Sequence, residues 1–522
     1  MNTTRKLPIG IQDFEYLRNE NFLYVDKTQY IYQLLQGKPY FLGRPRRFGK
    51  SLFLSTLKAF FEGKKELFEG LKITELEKDW TKYPVIYLDF NQESYVDTNS
   101  LYAALDKNLR NAEEVWGRDE LDKTPAARLS TIIKFAYRKT GQKVVVLVDE
   151  YDKALVNTMH NPDVNEDIRN ILKGFYGVLK AEDANLRFVF LTGVTKFSKV
   201  SIFSDLNQLV DISLNEKYAE ICGISEEELL QNFQPEIQSL ADKRKLTYEQ
   251  AFAKLKKLYD GYHFAKESAD IYNPFSVLNT FDNLDFAYYW FKTGTPTFLV
   301  NTLKNQNYDI SKLENDVKIS ANSIMDYRAE NQNLIPLLYQ SGYLTIKNYE
   351  NILDEYVLGF PNEEVKYGFL KELLPAFVLT PIATGIFSVN DFLRNLLNSD
   401  IEGFMISLQA FYTAIPYDSI KKEHRDEQYY QHVFYLLFKL MGQFVETEIK
   451  NNKGRADAVV KTANNIYVFE FKMDDNATAE DALKQINSKD YAIPYITDQR
   501  KVVKIGVEFS QKEKGIKRWL IE

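Results

Sequence analysis

Four apolar runs punctuate the first two hundred residues, and amphipathic stretches of helical period lie between them. The runs are Pro39–Leu42 (PYFL), Val85–Phe90 (VIYLDF), Val144–Val148 (VVVLV) and Arg187–Thr192 (RFVFLT). Val144–Val148 is β-branched and aliphatic throughout, which suits a parallel strand buried on both faces. The intervening text predicts helices over Lys27–Gln36 with a cap near Asp26, over Ser51–Glu62, over 100–140 ending at Thr140-Gly141, and over Asn165–Lys180. Strand and helix alternating at these spacings predict a parallel α/β domain that ends near residue 215.

Beyond it the pattern changes. Ile224 to Tyr259 is helical and charged, Tyr259–Phe264 (YDGYHF) is a compact aromatic turn, and Asn273 caps a helix opened by Pro274-Phe275. Leu334–Tyr339 reads as a helix broken by Gly342, and Tyr343–Lys347 and Glu355–Gly359 pair as strands before Pro361-Asn362-Glu363-Glu364 opens another helix. A helix followed by a two-stranded wing suggests a winged-helix module, or else a small packing domain. Towards the C-terminus the pattern predicts a helix at Glu427–Leu440 and strands at Gln443–Ile449, Ala456–Lys461 and Ile466–Lys472. A helix at Thr478–Asn487 follows, with a capping box from Thr478 to Asp481, and then a strand at Val502–Phe509. The expected division is 1–215, a parallel-sheet domain; 216–375, a helical lid with the wing; 376–420, a helical connector; and 421–522, a C-terminal α/β domain.

Composition adds bounds. A chain of 522 residues is too long for one core. The net charge of −7 excludes a surface coated for nucleic acid without excluding a local basic groove. One cysteine, Cys222, excludes an internal disulfide, and with four histidines it builds no zinc spacing. The N-terminus lacks an apolar signal core, and no run of about 18 apolar residues offers a membrane span. The expectation is a cytoplasmic protein without a membrane partner. The many Tyr and Phe residues are scattered, as packing aromatics are.

Two constellations carry chemistry. Arg44–Leu52 (RPRRFGKSL) lies between a strand and a helix and supplies Gly49-Lys50-Ser51, the second half of a phosphate-binding loop. In such a loop the backbone amides of Arg46, Arg47, Phe48, Gly49, Lys50, Ser51 and Leu52 face the phosphates of ATP. Lys50 reaches the outer phosphates, and the Ser51 hydroxyl faces Mg2+. Arg44, Arg46 and Arg47 add positive charge where a polyphosphate would sit. The run at Val144 ends in Asp149-Glu150, where Asp149 can hold magnesium and Glu150 can orient or deprotonate water. Thr192 or Thr195, at the end of the next strand, could sense the γ-phosphate, and Thr192 joins the proposed binding set. In the second constellation, Asp457 lies on one strand and Glu470-x-Lys472 on the next. Phe469 and Phe471 point to the other face. Two carboxylates and a lysine converging in a sheet can hold a metal and activate water for phosphodiester cleavage.

Together these motifs resemble a bacterial family that joins an AAA-ATPase-like domain to a C-terminal PD-(D/E)xK nuclease-superfamily domain. The resemblance rests on VDKT at Val25–Thr28, RPRRFGKSL, VLVDEYDKAL and LTGVTKFSKVSIFSDLNQL at Leu191–Leu209. YDGYHF, NPFSVLN, WFKTGTPTFL at Trp290–Leu299, LLYQSGYLTI, GFPNEEV, GRADAVV, VFEFK and ALKQINSKDYAIPY at Ala482–Tyr495 continue it along nearly the whole chain. It implies an α/β fold with an N-terminal P-loop NTPase sheet of AAA-like (ASCE) type, a helical lid and a C-terminal nuclease-like domain. Gly49, Lys50 and Ser51 take the Walker A role, and Asp149 and Glu150 the Walker B role. Asp457, Glu470 and Lys472 form the nuclease core, with Gln485 as the polar residue of the following helix. Glu427 is the accessory first-helix acid of the metal set. Arg44 departs from the family pattern at the first P-loop glycine, where an arginine cannot take glycine-only geometry at low cost. The leading reading of the two constellations is an ATP-binding, ATP-hydrolysing protein coupled to a Mg2+-dependent nuclease, acting on DNA ahead of RNA; a role in defence or mobile-element biology would suit such an architecture. The rival reading is an ATP-dependent switch whose C-terminal domain binds nucleic acid or protein without cutting. Oligomeric state, a homo-oligomer included, is left open.

Overall fold

The apolar runs of the first 215 residues all become strands. In this computed structural model β1 (Pro39–Gly43), β2 (Val85–Asp89), β3 (Val144–Asp149), β4 (Leu186–Gly193) and the short β5 (Val210–Asp211) form one parallel sheet, ordered β2-β3-β4-β1-β5. The structure describes residues 5–37, 39–91, 94–195, 208–293, 299–300, 303, 308, 310–314, 317–325, 334–378, 389–415, 427–442, 446–449, 457–474, 477–495, 497–510, 512–513 and 515–522. Every residue of β3 is buried, as its unbroken aliphatic run requires. Because β4 stands between β1 and β3, its carboxyl end falls between the phosphate-loop strand and the acidic strand.

Local chemistry fixes where the helices start. Thr124, Asn161 and Asn273 each accept an amide of the first turn, and a proline follows each as the first helical residue. The stretch expected as one helix over 100–140 is two, Thr98–Trp116 and Pro125–Thr140. Gly117, at φ +107, ends the first, and Thr124-Pro125 opens the second.

The chain divides into two compact units, residues 1–293 with 312–365 and residues 294–311 with 366–522. In the first unit, β6 (Ile224–Ser225) and β7 (Ile271–Tyr272) pair beside the helices Glu226–Asn232, Gln234–Arg244, Tyr248–Tyr259 and Pro274–Asn283. Leu229, Phe233, Ile237, Leu240, Tyr259 and Phe281 form their shared core, and Leu7, Ile9, Leu23 and Val25 of the N-terminal lead-in pack against it. The predicted wing exists as β9 (Thr345–Glu350) against β10 (Glu355–Gly359). It gains an unforeseen third strand, β8 (Val317–Ser320), in the order β8-β10-β9.

The start of the helix Glu363–Val378 is fastened by a buried acid. Glu364 accepts the Ser276 hydroxyl at 2.7 Å and the Trp290 amide at 2.9 Å. Burial pushes its carboxyl up to about 7, against the opposing pull of those donors and of Arg47. A glutamate in the unfolded chain ionises near 4.3. Between the two values the folded state holds the extra proton, so stability falls as pH rises through that window and levels off above it. Glu364→Gln keeps the shape without the charge. Its melting temperature, relative to the parent, should rise as pH is taken from about 5 to about 8. A difference that does not change with pH would contradict this.

In the second unit, β11 (Glu446–Ile449), β12 (Ala458–Lys461), β13 (Asn465–Met473), β14 (Lys501–Ser510) and β15 (Gly515–Ile521) form a mixed sheet in chain order. Only the β13–β14 pair is parallel, and the helix Ala479–Ser488 makes that crossover. Thr478 and Asp481 form the expected capping box. Phe469 and Phe471 stack on one face of β13 and meet Phe404, Phe434, Phe438 and Phe509. Among the described residues no helix is long and apolar enough to cross a membrane.

Candidate functional site

The loop Arg44–Gly49 carries the chain from β1 into the helix Lys50–Phe61. Gly49, the N-cap, sits at φ +94 with nothing close to its missing Cβ, so the requirement for glycine there is conformational. Lys50 is buried. Its ammonium donates to the carbonyls of Arg44 (3.1 Å) and Pro45 (3.3 Å) and pairs with Glu150 at 3.1 Å. The Asp149 carboxylate accepts the Thr192 hydroxyl at 2.6 Å, and the Ser51 hydroxyl is close enough to favour its charge. Burial, then the neighbouring Glu150, raises the Asp149 carboxyl above its usual range; the two hydroxyls and Lys50 oppose the rise. Glu150 adopts φ +52, a sparsely populated region for a side-chain-bearing residue. Of the two threonines the sequence left open, Thr192 is the one at Asp149, whereas the buried Thr195 hydroxyl has no hydrogen-bond partner among the described residues.

Beside this cluster lies a cavity of about 620 Å³, within the range of small-ligand sites. Arg46, Arg47, Phe48, Gly49, Lys50, Ser51, Leu52 and Glu150 line one side of it. Gly10, Ile11, Leu23 and Val25 of the lead-in, with Ile224, Phe233, Phe275 and Leu278, supply an apolar side. Arg47, at φ +69, lays its guanidinium 3.7 Å from the centre of the Phe275 ring. Sequence reasoning passed over Asn91 and Lys153, which also line the cavity; the Lys153 ammonium donates to the Asn91 carbonyl at 2.7 Å. Their positions just past the ends of β2 and β3 were the available signal.

Arg44 corrects an expectation. Its guanidinium does not face a polyphosphate; it turns into the protein, 1 % exposed, and donates to the carbonyls of Gly43 (2.9 Å), Ser213 (2.7 Å) and Tyr218 (3.0 Å) over the Phe264 ring. It is also absent from the residues with positive φ, so the loop's first position needs no glycine. Arg44→Ala would leave these carbonyls without their charged donor. It should destabilise the first unit by about 3 kcal/mol. A melting temperature like the parent's would contradict that role.

In the second unit, the pairing of Ala458 with Phe469 sets Asp457 across from Glu470. The Phe471 amide donates to Asp457 at 2.9 Å. Lys472 donates to Glu470 Oε1 at 3.0 Å, and the Gln485 amide donates to the same oxygen. The other oxygen, Glu470 Oε2, is buried and has no hydrogen-bond partner among the described residues. Burial, and then Asp457, pushes the Glu470 carboxyl up to about 7, with Lys472 opposing. A cation at this carboxylate pair would satisfy the orphaned oxygen and neutralise the crowded charge, so these residues fit a divalent metal. Gly506 lets the helix that carries Gln485 approach, since a Cβ there would strike the Ala479 carbonyl. Glu427 begins the helix Glu427–Met441, but its side chain lies outside the described residues. Among the described residues no group of three or more His, Cys, Asp or Glu is placed to hold a metal ion.

A parallel sheet with a glycine-ended loop and acidic strand on one side, and a mixed sheet with paired acids and a lysine on the other, define an ATPase-like protein with a nuclease-superfamily domain. Residues 8–203 match the predicted AAA-ATPase family, and residues 425–519 match the PD-(D/E)XK nuclease superfamily. An uncharacterised protein from the vnfD 5′ region of Azotobacter chroococcum mcd 1 is 37 % identical over 529 residues, covering 99 % of both chains. The chain therefore belongs to the bacterial family that pairs an AAA-ATPase-like domain with a C-terminal PD-(D/E)XK domain. A solved structure, the Aeropyrum pernix ORC1 protein in complex with DNA, aligns over 66 % of this chain and 91 % of its own. At 10 % identity and a TM-score of 0.23 that likeness carries no argument.

Proposed function

We propose that this protein binds and hydrolyses ATP in its first unit and cuts DNA with a divalent metal, Mg2+ foremost, in its second. The observation that carries the nuclease half is Glu470. It is a buried carboxylate with one orphaned oxygen, crowded by Asp457 and held by Lys472 and Gln485. Leaving such a group unsatisfied is costly, and a metal relieves the cost. The chemistry a bound divalent ion supplies here is neutralisation of phosphate charge and acidification of water. Asp457 and Glu470, with Glu427, would hold the ion, and Lys472 would steady charge on the scissile phosphate and orient the attacking water. Gln485 fixes Glu470.

At the first site Lys50 transfers from the Arg44 and Pro45 carbonyls to the phosphates. Its departure would free Glu150 to orient water, while Ser51 and Asp149 would hold the ion and Thr192 would read the γ-phosphate. The proposed setting is cytoplasmic, in defence against foreign DNA or in mobile-element biology, with DNA preferred to RNA. The test is incubation of the full chain with circular and linear DNA and with RNA in Mg2+. Cleavage of DNA that stops with a chelator is expected. Intact substrates with every metal tried would favour the rival, a switch that binds without cutting.

A further inference from the structure

Asp152, three residues beyond Asp149, is a buried carboxylate that the proposed chemistry does not use. It is wholly buried, and it accepts the backbone amides of Val194 (3.1 Å) and Thr195 (2.5 Å), the two residues that follow β4. The neighbouring Tyr151 completes a clamp. Its amide donates to the Thr192 carbonyl at 3.0 Å, and its hydroxyl donates to the Thr195 carbonyl at 2.8 Å. Gly193 sits inside the clamp, where a Cβ would lie 2.5 Å from Asp152 Oδ1 and 2.7 Å from the Tyr151 ring. The turn after β3 and the end of β4 are therefore held together by groups that do not line the cavity, and the Gly193 carbonyl between them accepts the Arg44 amide at 3.2 Å.

We propose that Asp152 is a positioning residue for ATP hydrolysis, locking the end of β4 to the turn that carries Glu150. Between those two elements lie the contacts that would organise the attack. The Thr192 hydroxyl donates to Asp149 at 2.6 Å and accepts the Glu150 amide at 3.4 Å. Glu150 is held at a positive φ that the surrounding turn must impose. Both amides meet Asp152 Oδ2, so asparagine keeps at best a neutral acceptor there and turns an N–H toward the Val194 amide that Oδ1 also accepts at 3.3 Å; the charge that strengthens these bonds is lost and the strand end relaxes. Gly49, Lys50 and Ser51 take no part in the bonds that Tyr151 and Asp152 make to the end of β4. Loss of the clamp therefore displaces Thr192 and Glu150, which act at the γ-phosphate and the attacking water, and leaves in place the loop amides and Lys50 that carry most of the nucleotide affinity.

This inference rests on the ATPase reading above. In the full-length protein, Asp152→Asn should lower the turnover number for ATP about 10- to 100-fold. The affinity for ATP, measured by calorimetry, and the KM should stay within about 2-fold of the parent. Gly193→Ala, which presses on the same carboxylate from the other side, should give the same split and serves if the first variant fails to fold. Unchanged turnover overturns the inference. So does a parallel loss of affinity and turnover, or failure of both variants to fold, because either makes Asp152 a structural acid only. A parent protein that binds ATP but turns none over sinks the ATPase reading and this role together.

Discussion

Lys50→Ala is expected to abolish measurable nucleotide binding, with affinity for ATP falling at least about 100-fold, the worth of two charge-assisted hydrogen bonds. Lys50 is the buried cation at the start of the loop helix, where amide dipoles and ammonium would meet the same phosphates. In the structure it rests on two loop carbonyls and Glu150. Each of those contacts can be exchanged for a phosphate oxygen, so binding need not break the surrounding fold. Removing the ammonium leaves Glu150 without its partner at 3.1 Å, which adds repulsion to an incoming polyphosphate. Calorimetric titration with ATP and Mg2+ checks this, and an unchanged affinity would remove the phosphate-loop reading.

Asp457→Ala should eliminate metal binding in the second unit while leaving the unit folded. The variant removes one of two facing acids and one acceptor for the Phe471 amide, a loss of about 1 kcal/mol. It also removes a charge that raises the Glu470 carboxyl, so part of that loss is returned in the metal-free protein. Saturating Mg2+ or Mn2+ should therefore stabilise the parent against heat and leave Asp457→Ala unmoved. A variant that melts far below the parent even without metal would make Asp457 a structural residue.

Much of this was legible in the sequence, for reasons that differ by element. An unbroken run such as Val144–Val148 admits few conformations other than a strand covered on both faces, and β3 is that strand. The period of two in VFEFK put Glu470 and Lys472 on one face and the phenylalanines on the other, and the turn length set Asp457 opposite. Other features depend on contacts far apart in the chain. Nothing local to Arg44 says that its charge would be absorbed by carbonyls at Gly43, Ser213 and Tyr218. Asp152 reads as one more acid after a strand until Val194 and Thr195 arrive beside it. β15 went unseen because Gly515–Ile521 mixes charge with apolar residues, and its place at the sheet edge is set by β14.

The most direct test of the account is cleavage of a mixed DNA and RNA panel with Mg2+ or Mn2+, with and without ATP, by the parent protein and by Lys472→Ala. The account predicts metal-dependent cutting of DNA that changes with ATP and disappears in Lys472→Ala while ATP still binds. Cleavage that survives the loss of Lys472, or a parent that binds ATP and cuts nothing, would contradict it.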